Sequence, residues 1–278
     1  MTPETKNEAR GNSELEFTAE TVLKRYPSQA EVEYAKAKAL WQIGQANGFV
    51  APKPLEARPA SQEVLFERLP KSWSIRTDYL RHLTAPAGDP AAIRHCREAG
   101  RVLGVIHRDL TLATSHVWEP SPRFLAALPR SARRKLPDAI RAAPMAFLHG
   151  DYGPENIEVT THASDSRLTV FDASPNFFST FRTDERGPIY VDVGHFVSVI
   201  AGLVPLRLQL GALWRNRLLL TQAFIEGYEA SSGITCNRST VAIFARGIAG
   251  AYLHSRYPAV MAFVATELTF SRHRGKLL

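Results

Sequence analysis

Cysteine is scarce in this chain of 278 residues, which has two, Cys96 and Cys236. They stand far apart, and neither lies in a Cys-x-x-Cys or mixed Cys/His cluster. That spacing excludes a disulfide framework and a cysteine-based zinc site. A reducing, cytoplasmic setting follows most simply. Long apolar runs are also missing. The longest, Val193 to Leu206, carries His195 and falls short of the roughly 20 residues that a membrane helix needs, so no transmembrane segment is predicted. The N-terminus shows no apolar signal core, and there is no internal repeat. Acidic residues are the minority sign: 27 Asp and Glu stand against 34 Lys and Arg, giving a net charge of +7. A basic balance suits anionic partners such as nucleotides or phosphorylated ligands. The run Arg130-Ser131-Ala132-Arg133-Arg134-Lys135 reads first as a solvated helix face, with peripheral contact to an anionic surface as its functional alternative. It has no interleaved aromatics and no nucleic-acid motif, so no specific nucleic acid partner is predicted.

At 45% hydrophobic and 22% charged residues, the composition is that of an ordinary chain that buries a sizeable core, in one large domain or two unequal lobes. Its most informative stretch is Leu148-His149-Gly150-Asp151-Tyr152-Gly153-Pro154-Glu155-Asn156, which reads H-G-D-x-x-x-x-N. A strand-like run, Leu168 to Phe171, follows and ends on Asp172. Gly150, Gly153 and Pro154 make the first segment turn-rich. A loop can aim Asp151 and Asn156 into one cleft, where a strand would alternate them. Two carboxylates and an amide on neighbouring turns fit phosphoryl transfer: one carboxylate orients a hydroxyl and takes its proton, while oxygen donors hold a hard cation.

Upstream, Glu14 to Phe17 and Glu20 to Lys24 alternate as strands. A helix is predicted from about Gln29 to Ala46, with Ser28 as N-cap and Glu31 at the capping-box position. Strands follow at Leu55 to Ala57 and Glu63 to Phe66. From Trp73 onward helical periods dominate, including one from Pro90 to about Val117 and others near Leu206–Ala230, Arg238–Tyr257 and Ala259–Arg272. Inside the Pro90 helix lies a second His-x-Asp, His107-Arg108-Asp109-Leu110. It sits in a continuous helical pattern, and five residues past Asp109 stands Thr114, where a metal-binding Asn is required. It therefore reads as a helix end with a packed or hydrogen-bonded His107.

The H-G-D-x-x-x-x-N loop resembles that of the aminoglycoside phosphotransferase and choline kinase-like family, relatives of the protein kinases. The resemblance implies an α/β, two-lobed, protein-kinase-like fold: an antiparallel sheet lobe with one helix over residues 14–70, and a larger, mainly helical lobe over residues 71–278. It implies transfer of the ATP γ-phosphate to a small-molecule hydroxyl, with ATP and Mg²⁺ as cofactors. Asp151 would be the catalytic base, and Asn156 and Asp172 the metal ligands. Lys24, held by Glu33 (or Glu31), would clamp the phosphates. The backbone from Glu67 to Leu69 would meet the adenine, and Asp192 would hydrogen-bond the catalytic-loop backbone. The segment from Ala173 to Gly187, with Phe177, Phe178 and Phe181, stands where such folds carry an activation segment.

The chain departs from the family at its start. Residues 1–13 read as a flexible or degraded first strand, with only Gly11-Asn12-Ser13 left as a phosphate-covering turn. That departure raises an alternative: a catalytically weak or inactive pseudokinase acting as a binding module. From Asn176 to the end there are six acidic and eleven basic residues. A polycationic aminoglycoside calls for carboxylates, so a sugar or glycoconjugate acceptor is favoured.

Overall fold

A computed structural model describes residues 6–10, 13–69, 73–84, 89–162, 165–174, 178, 182–202 and 212–256. The fold opens with five antiparallel strands: β1 (Lys6–Arg10), β2 (Ser13–Phe17), β3 (Thr21–Arg25), β4 (Pro54–Arg58) and β5 (Glu63–Glu67), in the spatial order β1-β2-β3-β5-β4. β3 is central. Its Lys24 pairs in register with Leu15 on one side and Val64 on the other and is buried. Its neighbour Arg25 points the other way, 2.7 Å from Glu63 and 3.4 Å from Glu14. The period of two puts the lysine inside and the ion pairs outside.

β1 corrects the sequence reading. Residues 6–10 form a strand in full register with β2, from Lys6 opposite Phe17 to Arg10 opposite Ser13. The sequence Lys-Asn-Glu-Ala-Arg has no apolar period, which hid it. An edge strand draws its hydrogen bonds from the open side of its neighbour, and a polar edge is what protects a sheet from further pairing. Gly11 and Asn12 lie outside the described residues.

Helix α1 (Ala30–Asn47) follows β3. Ser28 does not cap it. Gln29 occupies the cap position with φ 67°, and the Ala30 N–H donates instead to Gln62 Oε1, 3.2 Å away, from the turn between β4 and β5. A tertiary neighbour replaced the local capping box. The helix closes on Gly48 at φ 76°, a left-handed position that suits glycine.

The rest is mainly helical: α2 (Ile75–Thr84), α3 (Pro90–Asp109), α4 (Pro122–Ala127), α5 (Arg130–Arg141), α6 (Tyr190–Gly202), α7 (Ala212–Ser232) and α8 (Arg238–Arg256). Two small sheets are set among them. β6 (Trp73–Ser74) pairs with β9 (Ile157–His162) of the β9–β10 hairpin, β10 being Asp165–Val170. β11 (Glu185–Pro188) lies between β7 (His116–Val117) and β8 (Met145–Phe147). The predicted helix to Val117 stops at Asp109, because residues 116–117 are drawn into pairing with β11. α3 and α7 approach so closely that a Cβ on Gly100 would stand 1.8 Å from the Phe224 carbonyl oxygen. The core runs along α3, α6, α7 and α8. On α5 only Leu136 is buried, and Arg130, Arg133, Arg134 and Lys135 are exposed. The predicted helix at Ala259–Arg272 lies outside the described residues. No helix of the described residues is long and apolar enough to cross a membrane.

Candidate active site

The H-G-D-x-x-x-x-N loop hangs between β8 and β9. Gly150 has φ 94°, a conformation open to glycine and costly for the arginine that protein kinases carry there. The loop is clamped from below by α6. Asp192, wholly buried, accepts the His149 N–H at 2.7 Å and the Gly150 N–H at 2.9 Å. A third bond joins it to His107 Nε2 at 3.0 Å, and His107 Nδ1 in turn meets the Tyr228 hydroxyl at 3.0 Å. Burial alone would raise the Asp192 carboxyl, but the bond and charge of His107, with His149 and the Gly150 N–H, together outweigh it and hold the group below the usual carboxylate range. His107 is thus the packed, hydrogen-bonded histidine that its helical context predicted. Asp109 pairs with its neighbour Arg108 at the surface. Burial pushes the His149 imidazole down to about 3, so it is neutral. Its Nδ1 accepts the Asp151 N–H at 3.3 Å, and it packs edge-on against Tyr152.

Asp151 Oδ2 accepts from Asn156 Nδ2 at 2.8 Å. The same amide also reaches the Asp151 carbonyl at 3.0 Å, which leaves the Asn156 amide oxygen facing away from Asp151. Asp172 follows β10 with φ 49°. A non-glycine residue rarely holds that conformation, and strain of this kind concentrates at functional sites. Here the twist turns the carboxylate out of the strand line and toward Lys24, which contacts Asp172 Oδ1 closely. Burial alone would lower the Lys24 ammonium, but Asp172 more than offsets it and the lysine is held charged. Burial would raise Asp172, and Lys24 holds it low.

Lys24, Glu33, Asn156 and Asp172 line one cavity of about 440 Å³ together with Glu67, Arg68 and Leu69, a volume suited to a small-molecule ligand. Leu15, Phe17, Val22, Phe66, Leu40 and Val170 supply apolar walls. Leu15 and Phe17 belong to β2, which β1 supports from the edge. The first strand is therefore present beside β2, while the Gly11-Asn12 turn expected to cover the phosphates lies outside the described residues. Asp151 lies beside the cavity, joined to it through Asn156.

Two details differ from the sequence expectation. Glu33 does not hold Lys24 by a direct ion pair. Its carboxylate accepts from Thr183 Oγ1 at 2.5 Å and from Ser174 Oγ at 3.3 Å, and Ser174 is the residue that touches Lys24. In the hinge, the Glu67 N–H is bonded to Lys53 O and the Arg68 N–H to Glu20 O. No backbone bond among the described residues falls on the Leu69 N–H. Sequence reasoning also missed Lys36. One turn after Glu33, it is buried and donates to the carbonyls of His149 and Thr183 at 2.9 and 3.0 Å. The spacing from Glu33 was visible, but a lysine at i+3 of a glutamate is ordinary on any helix.

The donor set fits a magnesium ion. One carboxylate and one amide oxygen on the cavity wall are hard oxygen ligands, and Mg²⁺ on a nucleotide takes one or two protein carboxylates and completes its shell with phosphates and water. Among the described residues no group of three or more His, Cys, Asp or Glu could hold a metal by itself.

Comparison of the sequence with protein families and with curated proteins finds no match. Comparison of the folded chain with solved structures does. A choline/ethanolamine kinase family protein from Mesorhizobium loti superimposes with a TM-score of 0.59 at 14% identity, covering 99% of this chain and 92% of that one. The chain has a protein-kinase-like fold. A microcompartment-associated aminopropanol kinase matches at TM-score 0.61 and 13% identity, over 99% of this chain and 94% of that one. An aminoglycoside phosphotransferase from Streptomyces rimosus, solved with ADP and streptomycin, matches at TM-score 0.53 and 14% identity, over 87% and 91%. In this fold the cavity lies between the sheet with α1 on one side and the H-G-D-x-x-x-x-N loop with the β9–β10 hairpin on the other.

Proposed function

We propose that this protein is an ATP- and Mg²⁺-dependent phosphotransferase that moves the γ-phosphate to a hydroxyl of a small molecule. The observation that carries this reading is the convergence of Lys24, Asn156 and Asp172 on one cavity with Asp151 at its side. Asp151 receives the proton of the acceptor hydroxyl, and Asn156 holds its carboxylate in place. Lys24 takes phosphate oxygens, with its charge secured by Asp172 and its position by the Ser174–Glu33 contact. Asn156 and Asp172 would hold Mg²⁺, which supplies neutralisation of phosphate charge. The Leu69 N–H meets the adenine, and the apolar walls cover its faces. Catalysis of this kind is mostly positioning and preorganised charge. The pseudokinase reading rested on a flexible or degraded first strand and a short phosphate-covering turn; the pairing of β1 with β2 favours the active reading on the first count.

For the acceptor, a sugar or glycoconjugate is favoured over an aminoglycoside. Of the described carboxylates from residue 176 on, Asp192 is committed to the H-G-D loop, Asp184 to His116, Glu226 to Arg97 and Glu229 to Arg238, and Glu185 is buried. A polycation would find few of them free. The exposed basic face of α5 would serve as a peripheral contact with an anionic surface. A ³²P-transfer screen over sugars, amino sugars, amino alcohols and streptomycin, with wild type and Asp151→Asn in parallel, tests the reading. Transfer by wild type alone supports it. Equal transfer by both proteins removes Asp151 from the mechanism, and a preference for streptomycin overturns the acceptor assignment.

A further inference from the structure

α6 presents a second residue to the catalytic loop. Asp192 clamps the loop backbone, and His195, three residues on and on the same helix face, points at the loop's side chains. His195 is buried. Its Nδ1 lies 3.5 Å from Asp151 Oδ1 and its Nε2 4.0 Å from Glu155 Oε1. The ring of Phe178 packs edge-on against it, 5.0 Å between centroids. Nδ1 is wholly buried and has no hydrogen-bond partner among the described residues. A buried polar atom left in that condition costs about 1–3 kcal/mol and calls for an explanation.

We infer that His195 is the positioning residue for the base Asp151, donating an Nδ1–H to Oδ1 once the acceptor closes the site. This rests on the phosphotransferase reading above. Asn156 Nδ2 already holds Oδ2, and His195 supplies the matching donor on the other oxygen. A donor on each oxygen resists rotation about the Cβ–Cγ bond and keeps one lone pair aimed at the hydroxyl. The remaining gap is about half an ångström from hydrogen-bond length, and catalytic contacts in unliganded sites commonly tighten on binding. The tautomer is set by the neighbours. A bare Nδ1 would turn its lone pair on the Asp151 carboxylate at the shorter distance, whereas a bare Nε2 faces Glu155, which is farther away and more exposed. Burial lowers the imidazole's proton affinity, in keeping with a neutral donor. Phe178 fixes the ring plane, which a role in orientation requires.

The variants that test this separate the two ring nitrogens. Asparagine at 195 keeps a donor near the Nδ1 position, glutamine places it near Nε2, and phenylalanine keeps the volume with no donor. ADP release from Mg²⁺-ATP is measured with water and then with D-glucosamine as probe acceptor. Asn is expected to retain kcat within about threefold, and Gln and Phe to lose about tenfold, with the ATP KM changed by less than about twofold. In an Asp151→Asn background, His195→Phe should cost nothing further, since it acts through Asp151. Glutamine as active as asparagine, an unchanged kcat in His195→Phe, or an additive double mutant would each overturn the inference. The ¹⁵N shifts of the wild-type imidazole give a readout free of turnover. An Nδ1–H tautomer is expected, and a ring with its proton on Nε2 alone refutes the proposal. If Asp151→Asn itself leaves ADP release unchanged, the phosphotransferase reading fails, and the tautomer still decides the geometry of His195.

Discussion

His107-Arg108-Asp109 ends a helix, whereas His149-Gly150-Asp151 follows a strand. The first matches the protein-kinase spelling and the second departs from it by one residue. Their surroundings reverse that ranking. Asp109 closes α3 and spends its carboxylate on Arg108 at 2.7 and 2.8 Å. Asp151 hangs from a loop whose Gly150, at φ 94°, turns the chain so that Asp151 and Asn156 meet. A motif works through the backbone that carries it, and a helix cannot bring a residue and the one five positions later onto one ligand as this loop does. The two stretches are also joined. His107 bonds the Asp192 carboxylate that clamps His149 and Gly150, so the copy at the helix end buttresses the copy in the loop.

The sharpest way to break this comparison is to exchange the two aspartates' fates. Asp151→Asn is expected to lower turnover about a hundredfold or more, the size of a general-base contribution, with ATP binding retained by calorimetry. Asp109→Ala should stay within about twofold of wild type, because it removes only a surface pair. Loss of activity in a folded Asp109→Ala protein would mean that the wrong loop has been assigned.

The shared clamp comes next. Asp192→Asn keeps the shape but removes charge from three buried bonds, and should lower the unfolding free energy by about 3 kcal/mol, read from a urea transition. A variant as stable as wild type would disconnect the two stretches. On the nucleotide side, Leu69→Pro deletes the hinge N–H and should raise the ATP KM about tenfold, one hydrogen bond's worth, whereas Leu69→Ala should leave it nearly unchanged. Equal effects from the two would take the backbone out of base recognition.

The smallest expected effect is in pH. The unfolded imidazole titrates near 6.5, and burial holds His149 down to about 3 in the folded chain. Between those values the unfolded chain binds a proton that the folded chain refuses, so stability is complete above about pH 6.5 and declines as pH falls toward 3. Asp192 acts in the same direction at the acid end. Replacing His149 by Gln should flatten the upper part of the decline in urea midpoints. An unchanged slope would show that His149 is not the group responsible.

Much of the fold was legible because its signals are local. Alternation marked β3 and β5, helical period marked α1, α3 and α7, and the spacing of Asp151, Asn156 and Asp172 marked the candidate chemistry. β1 was illegible because its register comes from the open edge of β2 and not from any pattern of its own. The α1 cap was misread for a related reason, since Gln62 reaches in from a turn far along the chain and displaces the local Ser28 option. His195 and Lys36 carried no sequence signal at all. A single histidine or lysine on a helix acquires meaning only from what the opposite element brings within 4 Å.

The sequence by itself determined which residues can do the chemistry and the order in which elements form, because residue type, period and turn propensity act over a few neighbours. Only the tertiary structure decided which of two His-x-Asp stretches is placed to use it, that Lys24 meets Asp172 directly and Glu33 through Ser174, and that one helix supplies both the clamp on the loop and the ring beside its base. Those are contacts between residues far apart in the chain. Their geometry is set by burial and packing, which no local pattern encodes.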